Sequence, residues 1–249
     1  MPTKGVHFLD ARGPDDMVVY AVGDLHGRLD LLSLMYDAIA ADLKQRGAHD
    51  WRIVHLGDYV DRGPDSKSVI DFLIAARRDA HIILLAGNHD TGFLDFLDSG
   101  DPSGLFARFG GDQTALSYGV NLDFTDAAAF RKGHAQLVEA LPAAHIDFLR
   151  SLEFSVSFGD FFFCHAGIRP GVPLDAQEPH DLIWIRQEFL GYPGLHPKVI
   201  VHGHTPSPEP EVLANRVNVD TGAFSTGRLT ALVIAGAEKQ ILTVEETEV

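Results

Sequence analysis

The chain has 249 residues, with 20 Lys and Arg against 35 Asp and Glu for a formal charge of −15, and 45% of its residues are apolar. Such a charge repels phosphates at long range, so nucleic acid is not an expected partner. No run approaches the roughly 20 apolar residues that span a bilayer, so no membrane partner is expected either.

One core can serve this length, and a single domain over 1–249 is expected. Cys164 is the one cysteine and cannot form an internal disulfide, and residues 1–7 hold no apolar leader; both point to the cytoplasm. In chain order, 17–22 reads as a buried strand and 29–46 as a helix with Leu32, Met35, Ile39 and Leu43 on one face. A second strand over 51–56, a second helix over 65–78 and a third strand over 81–85 complete a βαβαβ pattern, which predicts a parallel sheet.

From 98 to 150, Gly100, Pro102, Gly104, Gly110 and Gly111 break the chain into short pieces before a helical pattern near 126–141, which together read as a helical insertion. Runs at 154–158 and 161–165 flank Gly159-Asp160, a hairpin turn, so pairing is expected to become antiparallel. A helix around 181–189 and strands at 199–202, 216–219, 229–234 and 240–244 follow, and the acidic tail at 245–248 reads as a solvated end.

Polar clusters follow the three early strands: Gly23-Asp24-Leu25-His26-Gly27, Gly57-Asp58-Tyr59-Val60-Asp61-Arg62-Gly63 and Gly87-Asn88-His89-Asp90. In an open parallel sheet ligands bind beyond the carboxyl ends of the strands, so these clusters should meet in space. Cys164-His165-Ala166-Gly167 and His202-Gly203-His204-Thr205 follow later apolar runs and add imidazoles. One Gly-Asp pair is commonly a turn, and one His a core residue. Five such clusters in one chain bury too many ionisable groups to be stable without an ion. Carboxylate, amide and imidazole donors without thiolate suit Mn²⁺, Fe²⁺ or Zn²⁺, and six side chains exceed the need of one ion. Two divalent metal ions sharing a carboxylate would equip the chain for phosphoester hydrolysis.

Gly-Asp-x-His-Gly, Gly-Asp-x-x-Asp-Arg-Gly, Gly-Asn-His-Asp, His-Ala-Gly and Gly-His-Thr-Pro, in this order, resemble the calcineurin-like metallophosphoesterases, and more narrowly the bacterial branch of the phosphoprotein phosphatases. The likeness spans about 17–234 and includes Gly110-Gly111-Asp112-Gln113-Thr114 and Asp220-Thr221-Gly222-Ala223. It implies the metallophosphoesterase fold, a four-layer α/β/β/α sandwich. Carried over by residue, it implies a first ion on Asp24, His26 and Asp58 and a second on Asp58, Asn88, His165 and His204, probed first with Mn. It also implies His89 as the acid for the leaving oxygen, Asp61 as its orienting carboxylate, and Arg62, Arg186 and Asn88 as phosphate-binding groups.

Two features depart from the family pattern. Pro206 stands where the broader superfamily often has a second His, and Asp90 where eukaryotic members have Glu, a change expected to affect loop hydrogen bonding. His202 is read as a strand residue, Cys164 as a core thiol, and Trp184 with Phe161-Phe162-Phe163 as core packing. The expected activity is that of a Ser/Thr protein phosphatase acting on a phosphorylated protein or small phosphoester. A symmetrical dinucleoside tetraphosphatase and a catalytically silent scaffold are the alternatives. The charge pattern sets this order, because seven acids face four cations between 98 and 150, poorly suited to a polyphosphate.

Overall fold

The computed structural model describes residues 5–246. The first strand, β1 (Val18–Val22), is buried along its whole length, as a strand covered on both faces must be. It runs parallel to β2 (Trp51–His55), and β2 runs parallel to β3 (Ile82–Leu84). The crossovers are α1 (Leu29–Arg46) and α2 (Ser66–Ala76). The sheet is completed from the far end of the chain. There β9 (Arg228–Ala235) lies antiparallel to β1, and β10 (Glu238–Glu245) is antiparallel to β9.

After β3 come five helices: α3 (Asn88–Ser99), α4 (Leu105–Arg108), α5 (Gly111–Ser117), α6 (Ala127–Ala140) and α7 (Ala143–Arg150). The Asp126 carboxylate caps α6 by accepting from the N–H groups of Ala128 and Ala129. Phe93 and Phe96 of α3 stack on Phe106 of α4 at 4.9 and 4.3 Å between ring centroids, which fastens the glycine-rich stretch to α3.

The second sheet contains β4 (Ser155–Phe158), β5 (Phe161–Cys164), β6 (Val199–His202), β7 (Glu211–Val212) and β8 (Arg216–Asn218), in the order β4-β5-β6-β8-β7. The expected change to antiparallel pairing holds for the β4–β5 hairpin and for the short β7–β8 pair, but not for the strands between them. From β5 to β6 to β8 the strands are parallel, because α8 (Pro179–Trp184) and α9 (Gln187–Leu190) carry the chain back between β5 and β6. The continuous helix expected over 181–189 is therefore two pieces, with Ile185 and Arg186 in non-helical backbone between them. A final short helix, α10 (Ala223–Thr226), precedes β9.

The layers follow from alternation along the strands. Val19, Ala21, Val54, Phe161, Phe163, Val201 and Leu232 form a core between the two sheets. Tyr20, Val22 and Ile53 point outward under α1 and α2, while Phe162, Cys164 and Ile200 pack under α8 and α9. This is the expected α/β/β/α sandwich. Of the acidic tail, residues 247 and 248 lie outside the described residues. Glu245 and Glu246 are exposed, as a solvated end requires, and each also pairs with an arginine, Arg228 and Arg28.

Candidate metal centre

The loops after β1, β2, β3, β5 and β6 meet at one edge of the sandwich, which brings the five sequence clusters together. Among the described residues, the non-glycine residues with positive φ are His26 (44°), Asp58 (55°), Asp61 (70°), Arg62 (69°) and His204 (66°), all of them in this site. Each costs on the order of 1–2 kcal/mol, so the strain is concentrated where side chains must be aimed. Close backbone approach adds a second constraint. A Cβ at Gly87 would lie 2.1 Å from Asp58 Oδ1, and one at Gly203 would lie 2.1 Å from Asp24 Oδ1. These motif glycines leave room for the carboxylates.

The first compact donor group is Asp58, His165 and His204, whose donor atoms lie within 4.8 Å of one another. Asn88 joins them, with Oδ1 2.9 Å from His165 Nε2 and 2.8 Å from His204 Nδ1. His165 donates its Nδ1 hydrogen to the Leu56 carbonyl at 2.9 Å, so its Nε2 is a bare lone pair. That lone pair faces the amide oxygen of Asn88 with no hydrogen between them, and Asp58 Oδ2 is 3.4 Å away. Acceptors gathered in this way fit a cation.

The second donor group is His26, Asp58 and His89. His26 donates Nδ1–H to the Val60 carbonyl at 2.8 Å and presents Nε2 at 3.5 Å from Asp58 Oδ2. Asp58 thus belongs to both groups. Asp24 does not fall within the compact set; its carboxylate accepts from the His204 N–H at 3.1 Å. His89 places Nδ1 2.7 Å from Asp61 Oδ2, and Asp61 Oδ1 accepts from the Thr114 hydroxyl at 2.8 Å. Thr114 is a clamp that sequence reasoning noted only as part of a likeness. Asp90 accepts from the N–H groups of Gly87, Asp58 and Tyr59 at 2.8–2.9 Å, tying the two loops together as expected of its loop role.

Burial dominates the electrostatics. It lowers the pKa of His26 and His204 well below the usual range and that of His165 to about 3, so all three are neutral and able to ligate. It raises the carboxyls of Asp24, Asp58 and Asp61, and that of Asp220 to about 6. For Asp24 the neighbouring Asp220 and Asp58 charges add to the rise. Buried acids that repel one another are stabilised as anions by a divalent ion.

A calcineurin-like phosphoesterase profile matches residues 17–233. The chain belongs to the calcineurin-like phosphoesterase family. Among similar proteins, an asymmetrical bis(5'-nucleosyl)-tetraphosphatase of Anoxybacillus flavithermus is 25% identical over 236 residues, 87% of this chain and 90% of the relative. A crystal structure provisionally named a diadenosine tetraphosphatase superposes with a TM-score of 0.65 at 20% identity, covering 94% and 98% of the two chains. A protein serine/threonine phosphatase of Saccharomyces cerevisiae superposes with a TM-score of 0.53 at 16% identity, covering 94% and 81%. Both likenesses are to the fold.

In this phosphoesterase Arg62 and Arg186 sit on opposite donor groups. Arg62 reaches His89 Nε2 at 3.0 Å, and Arg186 donates through Nε to His204 Nε2 at 3.0 Å. The break between α8 and α9 aims Arg186 inward, which helical periodicity alone could not reveal. His202 lies outside both donor groups, with Nε2 against Arg216, and Cys164 is buried in apolar packing. Trp184 corrects its expected place in the core: the residue is 36% exposed, and its ring lies 6.1 Å from that of His204. It walls a cavity of about 350 Å³ shared with Thr91, Asp95, Phe96, Asp101 and Phe106. Among the described residues no helix is long and apolar enough to cross a membrane.

Proposed function

We propose that this phosphoesterase hydrolyses phosphate monoesters, with a phosphorylated Ser or Thr side chain as substrate, in the cytoplasm. The observation that carries the hydrolytic reading is the set of imidazole and amide groups converging on the Asp58 carboxylate from both sides. One ion is assigned to Asp24, His26 and Asp58 and the other to Asp58, Asn88, His165 and His204. Mn²⁺ is the proposed occupant, with Fe²⁺ or Zn²⁺ accommodated by the same donors. The bound ions would supply Lewis acidity and acidify water between them.

The chain's own residues do the rest. Arg62 and Arg186 hold phosphoryl oxygens with planar guanidinium forks, beside the Asn88 amide. His204 can offer Nδ1 to a cation only as the Nε2–H tautomer, which gives up the Arg186 contact and leaves that guanidinium for phosphate. Asp61 fixes the Nδ1 side of His89; once phosphate draws the Arg62 guanidinium away from Nε2, that nitrogen can take up a proton and give it to a departing alkoxide.

One cavity beside Trp184 is acidic and aromatic and has no cation to receive further phosphates, and in a second cavity that Trp184 lines, Arg169 is already paired with Asp181 and Glu188; both support the phosphoprotein substrate. A second reading, asymmetrical cleavage of dinucleoside tetraphosphates, is favoured by the names of relatives at 25–26% identity. The Mn²⁺-loaded protein tested on phosphopeptides, mononucleotides and diadenosine tetraphosphate separates them. The proposal expects the highest kcat/KM on a phosphopeptide. A tenfold preference for the dinucleotide, about 1.4 kcal/mol in the transition state, would reverse it.

A further inference from the structure

Arg28, Arg46, Arg169, Arg216 and Arg228 pair with carboxylates, whereas among the described residues Arg62, like Arg77, Arg78, Arg108, Arg131 and Arg186, makes no such pair. Its backbone N–H donates to the Gly110 carbonyl at 3.0 Å, and one terminal nitrogen contacts His89 Nε2. The guanidinium also meets Phe224, whose ring centroid lies 4.8 Å from Arg62 Cζ. The same ring meets the His26 imidazole edge-on, at 5.5 Å and 83°.

Phe224 is oddly placed for a structural phenyl. It is half-buried and belongs to none of the three apolar cores, although its neighbour Ala223 does. It is nevertheless held firmly. The four residues of α10 lie between Gly222 and Gly227, both at φ 67°. Arg28 donates to the Ala223 carbonyl at 2.9 Å, and the Thr226 hydroxyl donates to the Thr221 carbonyl at 2.8 Å. A fixed ring outside the core, touching a guanidinium and an imidazole of the site, has its contacts there and not in packing.

The chemistry of the pair explains why a phenyl suits this position. A carboxylate beside Arg62 would neutralise it and occupy the N–H groups that an anion needs. An aromatic face attracts the cation and shields one side from water while using none of its in-plane donors. The guanidinium is then pre-oriented, and less entropy is lost when phosphate binds.

We infer that Phe224 is a positioning residue for anion binding: its ring seats the Arg62 guanidinium, so that phosphate affinity depends on an aromatic face at position 224. This rests on the reading of Arg62 as a phosphate-binding group.

The test is calorimetric binding of inorganic phosphate to Mn²⁺-loaded protein, with p-nitrophenyl phosphate kinetics and ion content measured alongside. Wild type is compared with Phe224→Leu, Phe224→Tyr, Arg62→Ala and the Phe224→Leu/Arg62→Ala double variant. Phe224→Leu should weaken phosphate binding and raise KM by about threefold to tenfold, the range of a partly desolvated cation–π contact. It should change kcat less and leave ion content intact, Phe224→Tyr should retain wild-type binding, and the Leu change should have no further effect without Arg62. The inference is overturned if Tyr is as damaging as Leu, if Leu is harmless or costs ions, or if its effect persists in the Arg62→Ala protein. Unchanged phosphate binding by Arg62→Ala alone would instead overturn the reading of Arg62 itself.

Discussion

His89 divides its two nitrogens between different partners, Nδ1 to the Asp61 carboxylate at 2.7 Å and Nε2 to Arg62 at 3.0 Å. It also falls in a donor group with His26 and Asp58, so ligand and acid are distinct roles that one variant separates. His89→Asn should keep ion content while lowering turnover on alkyl phosphates by about 10²–10⁴, and by less on an aryl phosphate whose leaving group needs little protonation. Loss of an ion, or equal losses on both substrates, would assign His89 differently. Residue identities in the site were legible because Asp, Asn and His recur after apolar runs. Their conformations were not, since nothing in Asp58 or His204 announces a left-handed backbone. Thr114 was noted only within a motif and given no role, and Phe224 escaped notice, because a threonine and a phenylalanine have ordinary uses everywhere else in the chain.

The elements that position these residues were read well where burial is continuous and poorly where function interrupts it. The three early strands stand within a residue or two of their expected bounds. Yet α3 was missed, because its first turn is the polar Asn88-His89-Asp90 and Gly92 follows, so no apolar period starts it. The break between α8 and α9 was missed for the opposite reason, since Leu182, Ile183 and Phe189 sustain an apolar pattern across it. Asp90 joins the loop after β2 to the start of α3 through three N–H groups. Asp90→Ala should therefore cost about 2–4 kcal/mol, which in a chain of this size lowers Tm by roughly 5–15 °C. It should also weaken ion binding, because the loops carrying Asp58 and Asn88 come apart. A thermal melt within 2 °C or so of wild type would show that the tie carries little.

At the scale of the whole molecule, the sandwich brings residues from Asp24 to His204 to one edge, with Asp58 common to both donor groups. The two facing sheets were legible through the family likeness of the motifs, not from the apolar pattern, and the parallel run of β5, β6 and β8 was not legible at all, because strand direction depends on where the intervening chain crosses. The central claim is that this edge holds two divalent ions with Asp58 between them. The most direct measurement is elemental analysis of ions per chain after equilibration with Mn²⁺, for wild type and for Asn88→Ala, with phosphatase activity followed before and after chelation. Two ions in the wild type, one in Asn88→Ala, and activity lost on chelation and restored by Mn²⁺ are expected. Fewer than one ion per chain at saturation, with hydrolysis indifferent to the chelator, would contradict it.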